Sequence, residues 1–307
     1  MRNLKTHSST RARTGVLRRV TATVVAAAGV VALAACGSTE PRSLLDDIRD
    51  GSVTLGTKYD QPGLGERTPD KEFVGLDVEV SEYVVKYIAD KNGWDMPDIT
   101  WRETPSAQRE QLISNGEVNM IAATYSINAG RLDAVDFAGP YLVTHQGLLI
   151  DADNAIRGLE DVADGTRLCS VSGSTPAQQV KAELPGVQLQ EFDTYAACAE
   201  GVKQGVVDAT TTDTTILAGF AQRFLERYGD EFQVIELQND DGSYWTDENY
   251  GIGLPKGNDA DVDAVNEALE EMHDSGAFET MARDNLGEDF EIGPKPNIGD
   301  LSFTEES

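Results

Sequence analysis

The strongest constraint on the fold is an alternation of short β-rich runs with longer segments of helical periodicity between residues 53 and 275. In 77–92, for example, Val78, Tyr83, Val84, Tyr87 and Ile88 recur at helical spacing. The pattern predicts strands at 53–57, 99–102, 118–123, 147–150, 167–171, 187–192, 208–212, 233–237 and 250–254. It predicts helices at 77–92, 107–115, 176–184, 194–205, 214–228 and 261–275. This order indicates an α/β protein with mostly parallel sheets, in which ligands bind beyond the carboxyl ends of strands.

The amino terminus has the pattern of an export signal. Residues 1–19 carry basic side chains and no acidic one, and residues 20–35 are almost entirely apolar. This predicts a signal peptide over 1–35, because the apolar run is shorter than the ~20 residues that span a bilayer. The run ends in Leu33, Ala34, Ala35 and Cys36, which resembles a bacterial lipobox. Cys36 would then be lipidated at the start of a tether over 36–43; the alternative is an ordinary signal that leaves a free cysteine.

Charge and cysteine content narrow the functional class. The net charge of −28 disfavours nucleic acid as a partner. If Cys36 carries lipid, Cys169 and Cys198 remain as an even pair in an oxidising compartment, and we predict a disulfide between them. The alternative is two buried thiols. Three histidines without metal-like spacing, and the lack of a nucleophile elbow or P-loop, predict no metal, no cofactor and no enzyme.

One polar segment has the chemistry of a carboxylate site. Thr124 and Ser126 follow a predicted strand, and Arg131 comes five residues after Ser126. A guanidinium fork with neutral hydroxyl donors is suited to the carboxylate of an amino acid. Taken alone, the pattern also fits an ordinary surface arginine at the end of a loop.

Several motifs extend this pattern along the chain. They lie at 56–63, 75–77, 123–127 with Arg131, 136–141, 172–176, 212–213 and 250–253. Together they resemble the polar amino-acid family (family 3) of bacterial ABC transporter substrate-binding proteins, over residues 53 to about 287. Within it, the similarity is greatest to the glutamate-binding lipoproteins of Gram-positive glutamate uptake systems.

The resemblance implies roles for individual residues. Arg131 would clamp the α-carboxylate of the ligand, assisted by Ser126 and by the backbone near Thr124. Ser174 and Thr175 would contact the same carboxylate from a helix N-terminus, where anions bind readily. Asp213 would accept the α-ammonium, although an N-cap for helix 214–228 is the alternative.

A distal carboxylate on the ligand would need a second cation. Lys58 ranks first because it ends the first predicted strand, and Gln61 would add a polar contact from the same loop. Arg102 and Arg109 are further candidates. The alternatives are that Lys58 points to solvent and that Arg109 pairs with a neighbouring glutamate.

The family also implies an architecture, a two-lobed periplasmic-binding-protein-like (type II) fold with the ligand cleft between the lobes. We expect lobe 1 at 44–145 and 250–290, lobe 2 at 146–249, and an irregular, solvated acidic tail at 291–307.

The expected function is capture of glutamate by a monomeric lipoprotein on the extracellular face of the cell membrane, which passes the ligand to an ABC permease and its ATPase. Glutamine, aspartate or another polar amino acid is the alternative ligand. A dehydratase-like enzyme with Asp213 as general acid, or a detached sensor module, are alternatives of another class.

Overall fold

The computed structural model describes residues 43–229, 232–288 and 290–305, which belong to one compact unit. Two predicted segments lie outside the described residues: the signal peptide at 1–35 and residues 36–42 of the tether, which include Cys36. Within the described ranges, no helix is both long enough and apolar enough to cross a membrane.

The described residues form nine α-helices and thirteen strands. The helices are α1 (Leu44–Arg49), α2 (Leu76–Asn92), α3 (Arg109–Ser114), α4 (Ala129–Leu132), α5 (Thr175–Glu183), α6 (Tyr195–Lys203), α7 (Thr214–Tyr228), α8 (Asp259–Asp274) and α9 (Ala277–Leu286). The strands are β1 (Ser52–Thr57), β2 (Asp60–Gln61), β3 (Gly65–Arg67), β4 (Phe73–Val74), β5 (Asp98–Glu103), β6 (Met120–Ile121), β7 (Asp136–Thr144), β8 (Gln146–Asp151), β9 (Arg167–Val171), β10 (Gln188–Phe192), β11 (Ala209–Asp213), β12 (Phe232–Glu236) and β13 (Glu248–Leu254). Short 3-10 turns occur at Ser106–Gln108, Leu159–Asp161 and Ser302–Thr304.

Two five-stranded sheets organise the chain. One has the strand order β5-β1-β6-β13-β7 and the other β10-β9-β11-β8-β12, while β2, β3 and β4 form a small separate sheet. We call the first sheet, the small sheet, α1–α4, α8 and α9 lobe 1, and the second sheet with α5–α7 lobe 2. The chain enters lobe 2 at β8 and returns to lobe 1 at β13.

The prediction of mostly parallel sheets holds for strand direction but not for pairing, because four strands of each five-stranded sheet run the same way and the fifth is reversed. Each five-stranded sheet has two parallel and two antiparallel pairs. The reversed strand is β13 in lobe 1 and β8 in lobe 2. These are the strands by which the chain arrives from the other lobe, so each begins at the edge where its neighbours end.

Local sequence accounts for several helix boundaries. Ser174 precedes α5 with extended backbone, and its hydroxyl accepts a hydrogen bond from the Ala177 amide, while Pro176 occupies the first turn. Gly229 ends α7 in the left-handed conformation that glycine adopts at little cost.

The apolar core is continuous between the lobes. A single cluster of buried side chains includes Leu55 and Tyr250 of lobe 1 and Leu217 and Phe220 of lobe 2. Truncating a side chain of this size to alanine costs ~2–5 kcal/mol of stability. The core therefore holds the strand ends of the two sheets opposite each other.

The predicted disulfide is confirmed. Cys169 on β9 and Cys198 on α6 are bonded, and both are completely buried. The bond joins β9 to α6 within lobe 2. Residues next to both cysteine-bearing elements reach the interlobe cleft.

The tail is irregular and most of its described residues are exposed, as expected, but several of its apolar side chains pack against the fold. Ile292 and Ile298 pack against the main core, and Leu301 and Phe303 pack against a second cluster in lobe 1. The prediction relied on the acidic composition of the tail and overlooked the apolar residues spaced along it. These residues attach the tail to lobe 1.

Candidate functional site

A polar cavity lies between the lobes at the carboxyl ends of strands. The cavity is narrow and partly open to solvent. The lining residues are Ser106, Arg109, Thr124, Ser126 and Arg131 from lobe 1 and Ser174, Thr175, Pro176, Tyr195, Asp213 and Ile216 from lobe 2. Seven residues that the sequence analysis named as ligand contacts, Arg109 among them, therefore meet here, at the carboxyl ends of strands where such sites are expected.

Arg131 lies in the short helix α4 and is only 6% exposed. Its Nη1 donates to the Ser126 carbonyl over 2.5 Å, and its Nη2 donates to the Gly173 carbonyl of lobe 2 over 3.2 Å. Its Nε is 3.3 Å from a carboxylate oxygen of Glu110, and the guanidinium carbon lies 4.8 Å from the centre of the Tyr125 ring. The arginine is thus a buried, oriented cation in contact with both lobes.

Thr124 is held in an unusual conformation by a buried carboxylate. Its φ of 47° is in the left-handed region, and its amide donates to Asp77 Oδ2 over 2.8 Å. The other oxygen of Asp77 accepts from the Tyr141 hydroxyl over 2.6 Å. Burial raises the pKa of Asp77 to about 6, against the opposing effect of these two hydrogen bonds. Gln61 is fully buried and donates to Thr124 Oγ1 over 3.1 Å, so it supports the cavity wall from behind.

Ser174 and Thr175 bring the start of α5 to the cavity. Thr175 Oγ1 accepts a 3.2 Å hydrogen bond from the Asn128 side chain of lobe 1. The N-terminus of this nine-residue helix provides partial positive charge beside Arg131. The arrangement therefore favours an anionic group between Arg131 and α5.

Asp213 ends β11 and is almost completely buried. It occupies the N-cap position of α7, as the alternative had it, but its side chain makes no capping hydrogen bond to the helix. Oδ2 accepts from the Tyr250 hydroxyl over 2.5 Å, while Oδ1 has no hydrogen-bond partner among the described residues. Burial, followed by the nearby Glu248, raises the pKa of Asp213 well above its usual value.

Glu248 is a second buried carboxylate that sequence reasoning missed. It is 3% exposed at the start of β13, and burial raises its pKa, opposed by a hydrogen bond with Ser126 and by Arg131. Strand alternation places it on the same face as Tyr250, which belongs to one of the sequence motifs. This alternation along the strand is the sequence signal from which Glu248 could have been predicted.

Three cations were candidates for a distal ligand group, and the structure places them differently. Lys58 is completely buried, with Nζ 3.6 Å from Asp60 Oδ1, but it does not line the cavity. Burial lowers the pKa of Lys58 to about 8. Arg102 does not line the cavity either; its half-exposed side chain pairs with Glu117 over 2.6 Å.

Arg109 does line the cavity and is 1% exposed. Its Nη2 donates to Ser106 Oγ over 3.0 Å, and it forms no ion pair with any carboxylate in the described part of the chain. The expected pairing of Arg109 with a neighbouring glutamate is therefore absent from the described residues. Burial, followed by repulsion from Arg131, lowers the pKa of Arg109.

Residues 53–288 match the model of the bacterial extracellular solute-binding proteins, family 3. The chain belongs to this family. It is 56% identical over 291 residues to the glutamate-binding protein GluB of Corynebacterium efficiens, covering 94% of this chain and 97% of the relative. It is 57% identical over 279 residues to GluB of Corynebacterium glutamicum, covering 90% and 93%.

Two solved structures of other proteins share the fold. An ancestral arginine-binding protein bound to arginine has a TM-score of 0.66 at 24% identity, covering 77% of this chain and 99% of its own. A solute receptor for L-cysteine of Neisseria gonorrhoeae has a TM-score of 0.69 at 23% identity, covering 80% and 94%. At this identity the comparison shows the two-lobed fold alone, which confirms the predicted fold class.

Proposed function

We propose that this family 3 solute-binding protein captures L-glutamate in the cavity between its lobes. The observation that carries the proposal is the pairing of two buried guanidinium groups, Arg131 and Arg109, with one buried carboxylate, Asp213, around a single cavity. Glutamate carries two carboxylates and one ammonium group, so its charges complement these three side chains. The identity of more than half to two glutamate-binding proteins supports the same ligand.

The α-carboxylate is assigned to Arg131. This arginine lies beside the Ser126 hydroxyl and the start of α5, and its guanidinium is planar and permanently charged. Ser174 and Thr175 contact the same carboxylate from lobe 2, so a ligand bound here joins the two lobes.

The α-ammonium is assigned to Asp213, whose Oδ1 is buried and unpartnered in the described structure. A cation next to a carboxylate favours its ionised form. Binding of the ammonium therefore lowers the raised pKa of Asp213 and drives the side chain to the anionic state. Glu248 adds negative charge behind it.

The distal carboxylate is assigned to Arg109 rather than to Lys58, which ranked first from sequence. Lys58 already has Asp60 as a partner and stands outside the cavity lining, whereas Arg109 faces the cavity without a carboxylate partner. A ligand carboxylate between Arg109 and Arg131 also relieves the repulsion between these two cations.

The wider proposal concerns location and partners. Lipidation of Cys36 anchors a monomer to the outer face of the cell membrane, and the ligand-bound form delivers glutamate to an ABC permease with its ATPase. The family places the protein among extracellular binding proteins, and the lipobox-like sequence before Cys36 supports the anchor.

Calorimetric titration of residues 38–307 against glutamate, glutamine, aspartate and arginine tests the ligand. We expect one-to-one binding with glutamate preferred. Arg109→Gln should weaken glutamate binding by ~30-fold or more, because the variant leaves a buried carboxylate unpaired, and should weaken glutamine binding much less.

Arg102→Gln is the matched control, since this arginine lies outside the cavity and should leave every affinity unchanged. Tighter binding of glutamine than of glutamate by the unaltered protein would overturn the ligand assignment. Equal losses for glutamate and glutamine in Arg109→Gln would overturn the role of Arg109.

A further inference from the structure

One face of α7 runs from the cavity to the outer edge of the cleft. Ile216 lines the cavity, and Gly219 and Arg223 follow at intervals of three and four residues, which places all three on the same side of the helix. This side faces lobe 1 around the small sheet. We call Gly219 and Arg223 with their lobe 1 partners, Pro62 and Glu66, the α7 contact.

At Gly219 the two lobes touch backbone to backbone. A Cβ atom at this position would lie 2.4 Å from the Pro62 carbonyl oxygen. Real Cβ atoms do not approach an oxygen so closely, so the observed lobe arrangement requires glycine here. The helix conformation itself does not require it, because alanine is the better residue inside a helix.

One turn further, Arg223 makes a two-pronged ion pair with Glu66 on β3. Nη1 is 2.8 Å from Oε1 and Nη2 is 2.5 Å from Oε2. A bidentate ion pair of this kind fixes the relative orientation of the two side chains as well as the distance between them. Neither residue lines the cavity, so the pair contributes to lobe contact without reaching a ligand.

Similar contacts surround the cavity on other sides. Asp60 Oδ2 of lobe 1 accepts from the Ala196 amide at the start of α6 over 3.2 Å. At Gly173 a Cβ would lie 2.7 Å from Ala107 Cα of lobe 1. The lobes therefore meet through their own complementary surface as well as through the cavity.

We propose that the α7 contact is a latch that holds the two lobes together and sets how long a bound ligand stays. The inference rests on the proposed function, in which an amino acid is trapped between the lobes. A contact made only when the lobes are closed stabilises the closed state. Its loss speeds ligand release although no residue that touches the ligand has changed.

Gly219→Ala separates the latch from folding. Alanine should leave the melting temperature of the ligand-free protein unchanged or higher, because it favours the helix. In the closed state its methyl group overlaps Pro62, so glutamate affinity should fall by ~10-fold or more. The loss should appear mainly as faster dissociation in stopped-flow measurements. Gly201→Ala in α6 is the matched control, because its Cβ would make only ordinary contact, with Val207 at 3.4 Å.

Arg223→Gln tests the ion pair without adding bulk. Both side chains are partly exposed, so we expect dissociation to be only about two- to five-fold faster. Arg283→Gln is its control, because Arg283 pairs with Glu279 inside α9 and is not part of the α7 contact.

Small-angle scattering with and without glutamate measures closure directly. The unaltered protein and both controls should become more compact with ligand, and Gly219→Ala should remain expanded at ligand concentrations that saturate the unaltered protein. If Gly219→Ala closes and binds like the unaltered protein, the latch is refuted and the proposed function stands. If the unaltered protein binds none of the amino acids, the proposed function fails first and the latch fails with it.

Discussion

Asp77 is a charged group that the fold buries completely, and its replacement by asparagine gives a test of the reasoning about the site. Its two oxygens accept from the Thr124 amide and the Tyr141 hydroxyl. Asparagine keeps the shape and one acceptor, and its Nδ2 can donate to the hydroxyl oxygen of Tyr141 once that group has turned. Asp77→Asn should therefore retain both contacts and the position of Thr124.

The expected effect on stability follows from the pKa. Burial raises the pKa of Asp77 from 3.8 to about 6. A carboxyl whose pKa is raised on folding contributes stability below its unfolded pKa, and this stability is lost as the pH rises through the folded pKa. A pKa shift of about two units corresponds to ~3 kcal/mol of folding stability. The unaltered protein loses this stability as the pH rises, and Asp77→Asn does not. Relative to the unaltered protein, Asp77→Asn should thus gain about 2–3 kcal/mol in free energy of unfolding between pH 4 and pH 7.

Urea unfolding of both proteins at pH values from 4 to 7 measures this difference. Asp213 and Glu248 titrate in both proteins, so their contributions cancel in the comparison. Asp90→Asn is the control, because Asp90 is an exposed residue of the same helix α2 that pairs with Lys86. A stability difference for Asp77→Asn that does not change with pH would refute the assignment of a raised pKa to this carboxyl.

Two further predictions concern the clamp and the disulfide. Arg131→Ala should weaken glutamate binding by ~2–5 kcal/mol, a factor of roughly 30 to several thousand, because the ligand carboxylate loses its buried partner; near-normal affinity in a calorimetric titration would contradict the clamp. Replacing Cys169 and Cys198 together by alanine should lower the free energy of unfolding by ~3–4 kcal/mol, since the bond closes a loop across 29 positions. The control is the unaltered protein under reducing conditions, and an unchanged urea midpoint in both would contradict that prediction.

Many periodic segments were predictable from sequence, but the nine-residue strand β7, the ten-residue helix α9 and the shortest strands were not. Helix α7 matches its predicted limits at Thr214 and Tyr228, because its apolar face is continuous and Gly229 ends it. Strand β9 matches at Arg167 and Val171. The strands of the small sheet have two or three residues each, which is too few for any alternation to be detected.

The site was predictable where a residue's role is fixed by its own segment. Ser174 is an example, because a serine followed by threonine and proline predicts a helix start whatever the tertiary structure. Asp213 is the opposite case. Its sequence position fits an N-cap, but its side chain turns to Tyr250, which is distant in sequence. Only the sheet that joins β13 to lobe 1 brings that hydroxyl within reach.

The choice between basic residues also depended on tertiary structure. Arg102 and Arg109 are close in sequence, but β5 is an edge strand, and Arg102 on it faces Glu117 at the surface. Arg109 begins α3 and is turned inward against the Tyr125 ring, 4.8 Å from its centre. Neither their charge nor their distance from the predicted strand ends indicated that Arg109 lines the cavity and Arg102 does not.

The strongly acidic composition does not oppose the capture of an anion. Charges on the surface are screened beyond ~10 Å at ordinary salt, so a ligand inside the cleft responds mainly to the groups that line it. There the cavity is lined by Arg109, Arg131 and the start of α5, and burial raises the pKa of Asp213 above its usual value. An anion without an ammonium would meet the same cations but would gain nothing at Asp213. Under the proposed assignment, the cavity therefore selects for an amino acid with a second carboxylate rather than for negative charge as such.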